Sequence, residues 1–322
     1  MTKTSPIDPF IKKHGMLILD GGLATELEKM GFDLNTHLWS AQILDSNPEA
    51  IRKVHLSYLK AGADCITSAS YQASIPGFIS KGYSGEKAKS LLERSVNIAN
   101  EAVDEYMEHS ENSGNEKMRP LVATSIGPYG AYLANGSEYH GNYNVPKSEL
   151  RSFHESRWEI LSGTSVNLFA CETIPSFEEA EVLLDILSQT PEIFAWMSFS
   201  CQDDARISDG TMIRECAELF KNCEQVVAVG INCTAPKYIP SLIEEVRLGS
   251  PNTPITVYPN SGNIYDSETR SWLENSNPLN CGIAASDWYG KGAKLIGGCC
   301  QMGPDHINAM KTNLINRGFY KS

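Results

Sequence analysis

Apolar positions along the chain fall into two alternating patterns. Short runs of β-branched and apolar residues occur eight times. They begin at Met16 (MLILDGG), Asp64 (DCITSASYQ), Leu121 (LVATSIGP), Asn167 (NLFACET), Phe194 (FAWMSFS), Val226 (VVAVGINC), Ile255 (ITVYPNSG) and Lys294 (KLIGGCC). Such runs read as strands. Between most of them the apolar residues return at helical spacing. NPEAIRKVHLSYLKAG has a proline in its first turn and a glycine stop after Ala61. SFEEAEVLLDILSQT opens on Ser176 as N-cap and carries Glu178, Glu179 and Glu181 near its start, where acids suit the helix dipole.

Eight strand–helix units predict an α/β protein, a (β/α)8 TIM barrel forming a single domain over residues 1–322. A doubly wound sheet is the competing arrangement, but no strand runs into G-x-G-x-x-G or a P-loop pattern. In a barrel the chemistry sits at the C-terminal ends of the strands. Those ends carry, in order, Asp20-Gly21-Gly22, Ser68 with Ser70, Gly127-Pro128, Cys171-Glu172-Thr173, Ser198 with Ser200, Asn232-Cys233, Tyr258 with Asn260, and Cys299-Cys300.

Composition narrows the partners. Hydrophobic residues make up 41% and charged residues 20%, so a large packed core is expected. A net charge of −12 argues against nucleic acid, whose binders concentrate Lys and Arg. No apolar run approaches the roughly 20 residues that cross a bilayer. The N-terminus lacks a signal-peptide core, and a cytoplasmic location is expected. Nine cysteines, an odd number, do not suggest a secreted disulfide framework.

Adjacent Cys299 and Cys300 are the unusual feature. If the backbone turns between them, as Gly297-Gly298 should permit, both sulfurs reach one small ion, and a catalytic zinc takes three protein ligands. Cys233 is the natural third ligand, with Cys171 as rival. Side chains alternate along a strand, so either Cys171 or Glu172 faces the axis, and we assign that direction to Glu172. A redox pair is the other reading of Cys299 and Cys300, although the usual spacing is C-x-x-C. Spacing alone leaves both open. Cys65, Cys201, Cys216, Cys223 and Cys281 read as core residues. His55, His140 and His306 carry no signal.

LDGGLATELEKMG near the start, then GINC, VYPNSG and GGCC in that order, resemble the homocysteine S-methyltransferase family over nearly the whole chain. GADCITSASYQAS, SIGPYGAYLANGSEYHGNY, ACETIPSFEEA and SDGT resemble its intervening blocks, with particular similarity to the branch using S-methylmethionine. The resemblance implies a zinc-dependent barrel in which Cys233, Cys299 and Cys300 hold one Zn2+, and Asp20 and Glu172 hold the amino-acid part of homocysteine. The chain departs from the family at Gln301-Met302, after GGCC.

The function expected from this resemblance is methyl transfer from S-methylmethionine, or S-adenosylmethionine, to a zinc-bound homocysteine thiolate, forming methionine. Aromatic faces should meet the sulfonium charge, and Trp39, Tyr129, Tyr132, Tyr139 and Tyr143 are the candidates. Ser68, Ser70, Tyr129 and Asn260 are the further substrate contacts expected, and Tyr258 is another candidate. Alternatives are the same chemistry with betaine or selenocysteine, or a non-enzymatic zinc or thiol sensor. The protein is expected to be a monomer or small homo-oligomer.

Overall fold

The protein is described by a computed structural model, covering residues 4–34, 42–111, 117–262, 264–266, 271–273 and 279–321. Trp39 lies outside the described residues.

All eight apolar runs form strands: β1 Leu17–Ile18, β2 Cys65–Thr67, β3 Leu121–Ile126, β4 Leu168–Ile174, β5 Phe194–Phe199, β6 Val226–Asn232, β7 Ile255–Tyr258 and β8 Ala293–Ile296. They pair in parallel in the order β1-β8-β7-β6-β5-β4-β3-β2. A parallel bridge between Leu19 and Cys65 then brings β2 back to β1. The Asp64 N–H donates to the Ile18 carbonyl at 2.7 Å across the same seam. The predicted (β/α)8 barrel is therefore observed.

A helix follows each strand: α1 Pro48–Ala61, α2 Gly85–Glu111, α3 Lys147–Ser162, α4 Phe177–Ser188, α5 Ile213–Phe220, α6 Ile239–Gly249, α7 Cys281–Gly290 and α8 Pro304–Asn316. Their ends follow from local chemistry. Asn47 accepts from the Ala50 N–H to start α1, with Pro48 in its first turn, and Gly62 ends it in the left-handed conformation. Ser176 caps α4 as expected, accepting from the Glu179 N–H.

Alternation along the strands divides the core in two. Leu17, Leu19, Cys65, Ala123, Leu168, Ala170, Trp196, Ala228, Tyr258 and Leu295 point inward and fill the barrel. The Trp196 indole N–H donates to the Tyr258 hydroxyl at 2.9 Å. Ile7 and Phe10, flanking and within a short N-terminal helix (Asp8–His14), plug the lower end. Neighbouring residues such as Ile66, Phe169, Cys171, Met197 and Val257 point outward against the helices. None of the helices among the described residues is long and apolar enough to cross a membrane.

His55 on α1 is 1% exposed, and neither ring nitrogen has a partner. Burial pushes its pKa down from 6.5 to about 4. The unfolded chain therefore takes up the proton first. Stability from neutral His55 is fully present above about pH 6.5 and is lost as pH falls toward 4, by on the order of 3 kcal/mol. His55→Leu should reduce this acid sensitivity. Denaturant midpoints at pH 7 and pH 4.5 check it, with a smaller drop expected in the variant.

Candidate metal centre and substrate cleft

The C-terminal strand ends converge on a cleft lined by Asp20, Ser68, Glu138, Glu172, Cys233 and Cys300. Cys233 directly follows β6, and its backbone is left-handed (φ 49°). This is an unfavourable conformation for a non-glycine residue, found where surrounding structure holds the chain. Here the Cys233 N–H donates to the Tyr258 carbonyl at 3.1 Å. One residue before it, the Asn232 side chain accepts from the Thr173 N–H and donates to its hydroxyl, both at 2.7 Å, tying β6 to β4. Cys299 and Cys300 follow β8. The Cys299 N–H donates to the Pro259 carbonyl at 2.8 Å, and the Ser261 N–H donates to the Cys300 carbonyl at 3.1 Å.

These anchors bring three thiols together. Cys233 and Cys300 Sγ are 3.5 Å apart, Cys299 and Cys300 Sγ 3.9 Å, and all three lie within 4.8 Å of one another. Zinc–sulfur bonds of 2.3 Å in a tetrahedron put sulfurs about 3.8 Å apart, so the trio fits a zinc ion. Among the described residues it is the one group of three or more His, Cys, Asp or Glu side chains placed to hold a metal. The Cys299 and Cys300 thiols hydrogen-bond to the Cys233 sulfur and hold its pKa well below the ordinary thiol value. Cys171 is not part of the group: it faces the helices, while Glu172 lines the cleft.

The paired glycines work differently from the turn that their position suggests. The positive backbone angle falls on Gln301 (φ 63°), not on Gly297 or Gly298. A Cβ on Gly297 would sit 2.6 Å from the Leu19 Cβ, and one on Gly298 2.6 Å from the Met302 Cβ. These glycines permit close packing of β8 on β1 and on the buried Met302, which stands among the residues departing from the family pattern. The Met302 carbonyl accepts from the Gly22 N–H at 3.0 Å and the Tyr58 hydroxyl at 3.1 Å.

Three carboxyl groups line the cleft: Asp20, Glu138 and Glu172. Asp20 accepts from the Thr67 N–H at 2.8 Å. Burial first, then the nearby Glu172 charge, pushes its pKa up to about 8 against these hydrogen bonds. Glu172 accepts from the Ser125 hydroxyl, and burial raises it to about 7. Glu138 is likewise raised to about 7 by burial. Among the described residues lining the cleft these acids meet no cationic side chain, an arrangement that suits a positively charged ligand.

Of the other expected contacts, Ser68 lines the cleft. Ser70, Tyr129 and Asn260 are not among the residues that line it. Ser70 is fully buried behind Ser68, bonded to its hydroxyl and to the Ser125 carbonyl, each at 2.7 Å. Asn260 turns back, its side-chain oxygen accepting from the Gly262 N–H at 2.9 Å. Tyr129 packs with Tyr132, Tyr143 and Phe153 and donates its hydroxyl to Glu149 on α3 at 2.6 Å. Among the described residues, the aromatic ones at the cleft are Tyr71, Tyr139 and Tyr258.

Residues that the sequence reading passed over hold this loop. Glu179, read there as a helix-dipole acid, is 0% exposed. Its carboxylate accepts from the Tyr129 N–H at 2.6 Å, the Tyr143 hydroxyl at 2.9 Å and His154 Nε2 at 2.8 Å. Arg157, equally buried, donates to His154 Nδ1 at 2.9 Å and to the Gly127 carbonyl. With Nδ1 accepting, Nε2 carries the proton toward Glu179, and burial beside Arg157 keeps the imidazole neutral. No local pattern marks such a relay, since its members are 3 to 25 residues apart.

Comparison with known proteins agrees with this geometry. The sequence model of the family described as homocysteine S-methyltransferase matches residues 17–314. The chain is 47% identical to homocysteine S-methyltransferase YbgG of Bacillus subtilis, over 94% of this chain and 96% of that one. It is 45% identical to selenocysteine Se-methyltransferase of Brassica oleracea, over 94% and 90%. The crystal structure of homocysteine methyltransferase MmuM from Escherichia coli, metallated form, superposes with a TM-score of 0.85 at 40% identity, covering 96% of this chain and 99% of that one. Barrel, thiol trio and sequence thus converge, and the chain belongs to the homocysteine S-methyltransferase family.

Proposed function

We propose that the protein moves a methyl group from a sulfonium donor, S-methylmethionine or S-adenosylmethionine, to homocysteine, forming methionine, with one zinc ion held by Cys233, Cys299 and Cys300. The observation that carries this reading is the thiol trio at the floor of an acid-lined cleft. Bound zinc supplies a Lewis acid that keeps a substrate thiol ionised at neutral pH. Asp20 and Glu172 hold the homocysteine ammonium, each carboxylate already aimed by a hydroxyl from the neighbouring strand, Thr67 or Ser125. Ser68 offers a further polar contact. Tyr139, whose hydroxyl lies 3.9 Å from Cys233 Sγ, places an aromatic wall beside the reacting sulfur, where it favours a sulfonium.

In the transfer, a lone pair on the acceptor sulfur forms the new S–CH3 bond as the donor's S–CH3 bond breaks. The bonding pair stays on the donor sulfur, which leaves as a neutral thioether. Opposite charges cancel, so a cleft that excludes water lowers the barrier. The acceptor's thiol proton passes to solvent as the substrate binds, before transfer, so no general base is required in the transfer itself. The 45% identity to a selenocysteine methyltransferase supports selenocysteine as a second acceptor. Nine free cysteines suit a reducing compartment and support a cytoplasmic location.

The test is homocysteine with each of three methyl-labelled donors in parallel. Labelled methionine is expected from S-methylmethionine first and S-adenosylmethionine second. Transfer from betaine alone overturns the choice of donor.

A further inference from the structure

Glu138 is a carboxylate that the reading above leaves without a task. It lies on the 3-10 turn Ser137–Tyr139 in the loop between β3 and α3, is 5% exposed, and lines the cleft with Tyr71, Tyr139, Thr173 and Cys233. Its Oε2 is buried and has no hydrogen-bond partner. Asp20 and Glu172, by contrast, each accept a hydrogen bond from the wall. The Glu138 main chain is well fixed. Its carbonyl accepts from the Ser200 hydroxyl at 3.0 Å, and a Cβ on Gly130 would come within 2.5 Å of its nitrogen. An unpaired carboxylate oxygen on a residue that lines a cleft is stabilised by any ligand whose N–H turns it toward the cleft.

The chemistry of the two substrates selects the occupant. Homocysteine brings one ammonium, for which Asp20 and Glu172 stand at the ends of β1 and β4. An amino-acid sulfonium brings a second. A sulfonium centre has no N–H, so it can offset the charge of Glu138 but cannot fill its empty acceptor. An ammonium does both, with three N–H donors. Building on the sulfonium-donor reading, we propose that Glu138 binds the α-ammonium group of the methyl donor and thereby selects donors that are themselves amino acids. Tyr139, the next residue, extends this wall from Glu138 to the Cys233 sulfur.

The test uses the zinc-loaded full-length protein and its Glu138→Gln variant, which keeps size and removes charge. Calorimetry in the presence of homocysteine measures binding of S-methylmethionine and of dimethylsulfonioacetate, a sulfonium without the ammonium. Wild type should bind S-methylmethionine more tightly, and the variant should lose roughly 10- to 100-fold of that affinity. Dimethylsulfonioacetate should bind both proteins alike, and zinc content and homocysteine affinity should not change. An unchanged S-methylmethionine affinity, an equal loss for both sulfoniums, or a loss of zinc or homocysteine binding each overturns the proposal. So does absence of S-methylmethionine binding to wild type. Selective binding without any methyl transfer would uphold the Glu138 subsite and overturn the functional reading instead.

Discussion

Cys300→Ser is expected to lower turnover roughly a thousandfold, the several kcal/mol that a metal ion contributes to charge stabilisation. Its metal content should fall from one zinc per chain toward none. A serine hydroxyl remains protonated and neutral where the thiol gives a soft anionic ligand, so the remaining two sulfurs no longer make a three-ligand site. Cys233→Ser and Cys299→Ser should behave alike, because the three sulfurs form one cluster. Cys171→Ser is the control. It lies one residue from Glu172 yet packs outward among helices, so it should keep its zinc. Metal analysis alongside the assay decides: full turnover in metal-free protein would falsify the zinc assignment.

Arg157→Met is expected to act on stability. Its guanidinium is fully buried and faces the charge of the Glu179 carboxylate across neutral His154. Burial lowers the Arg157 pKa to about 10, so the charge is retained at pH 7. Removing one partner of a buried pair leaves the other uncompensated, at a cost of about 3–5 kcal/mol. The melting temperature should fall by roughly 4–7 °C. Pairing Arg157→Met with Glu179→Gln should recover part of this loss, because the stranded charge is then gone. A double variant no better than the single one would show that the loss lies in packing.

What could be read from the chain beforehand follows from periodicity. The eight strands were legible because each is a short apolar run, and their ends placed Cys233, Cys299 and Cys300 at one mouth. Alternation decided between Cys171 and Glu172 without a structure. What was not legible shares a cause. Tyr129, Asn260 and Glu138 lie on connections without a repeating pattern, so nothing local says which way a side chain points. Aromatic density in the β3–α3 loop drew attention to Tyr129, which turns toward α3, and away from Glu138 beside Tyr139. The glycines before Cys299 suggest a turn, whereas the constraint on them is packing against Leu19 and Met302. Glu179 looked like a helix-start acid because its partners His154 and Arg157 are only brought to it by tertiary packing.

The seam between β1 and β8 has a consequence for biosynthesis. Asp20 is made early and Cys299 and Cys300 late, yet their strands are neighbours, with Leu17 beside Leu295. Until the ribosome has released β8, a nascent chain can offer Cys233 without its two partners and β1 without its hydrogen-bonded edge. Contacts so distant in sequence form slowly. A chain stalled before Gly297 therefore carries one of the three thiols proposed to hold zinc and lacks the other two.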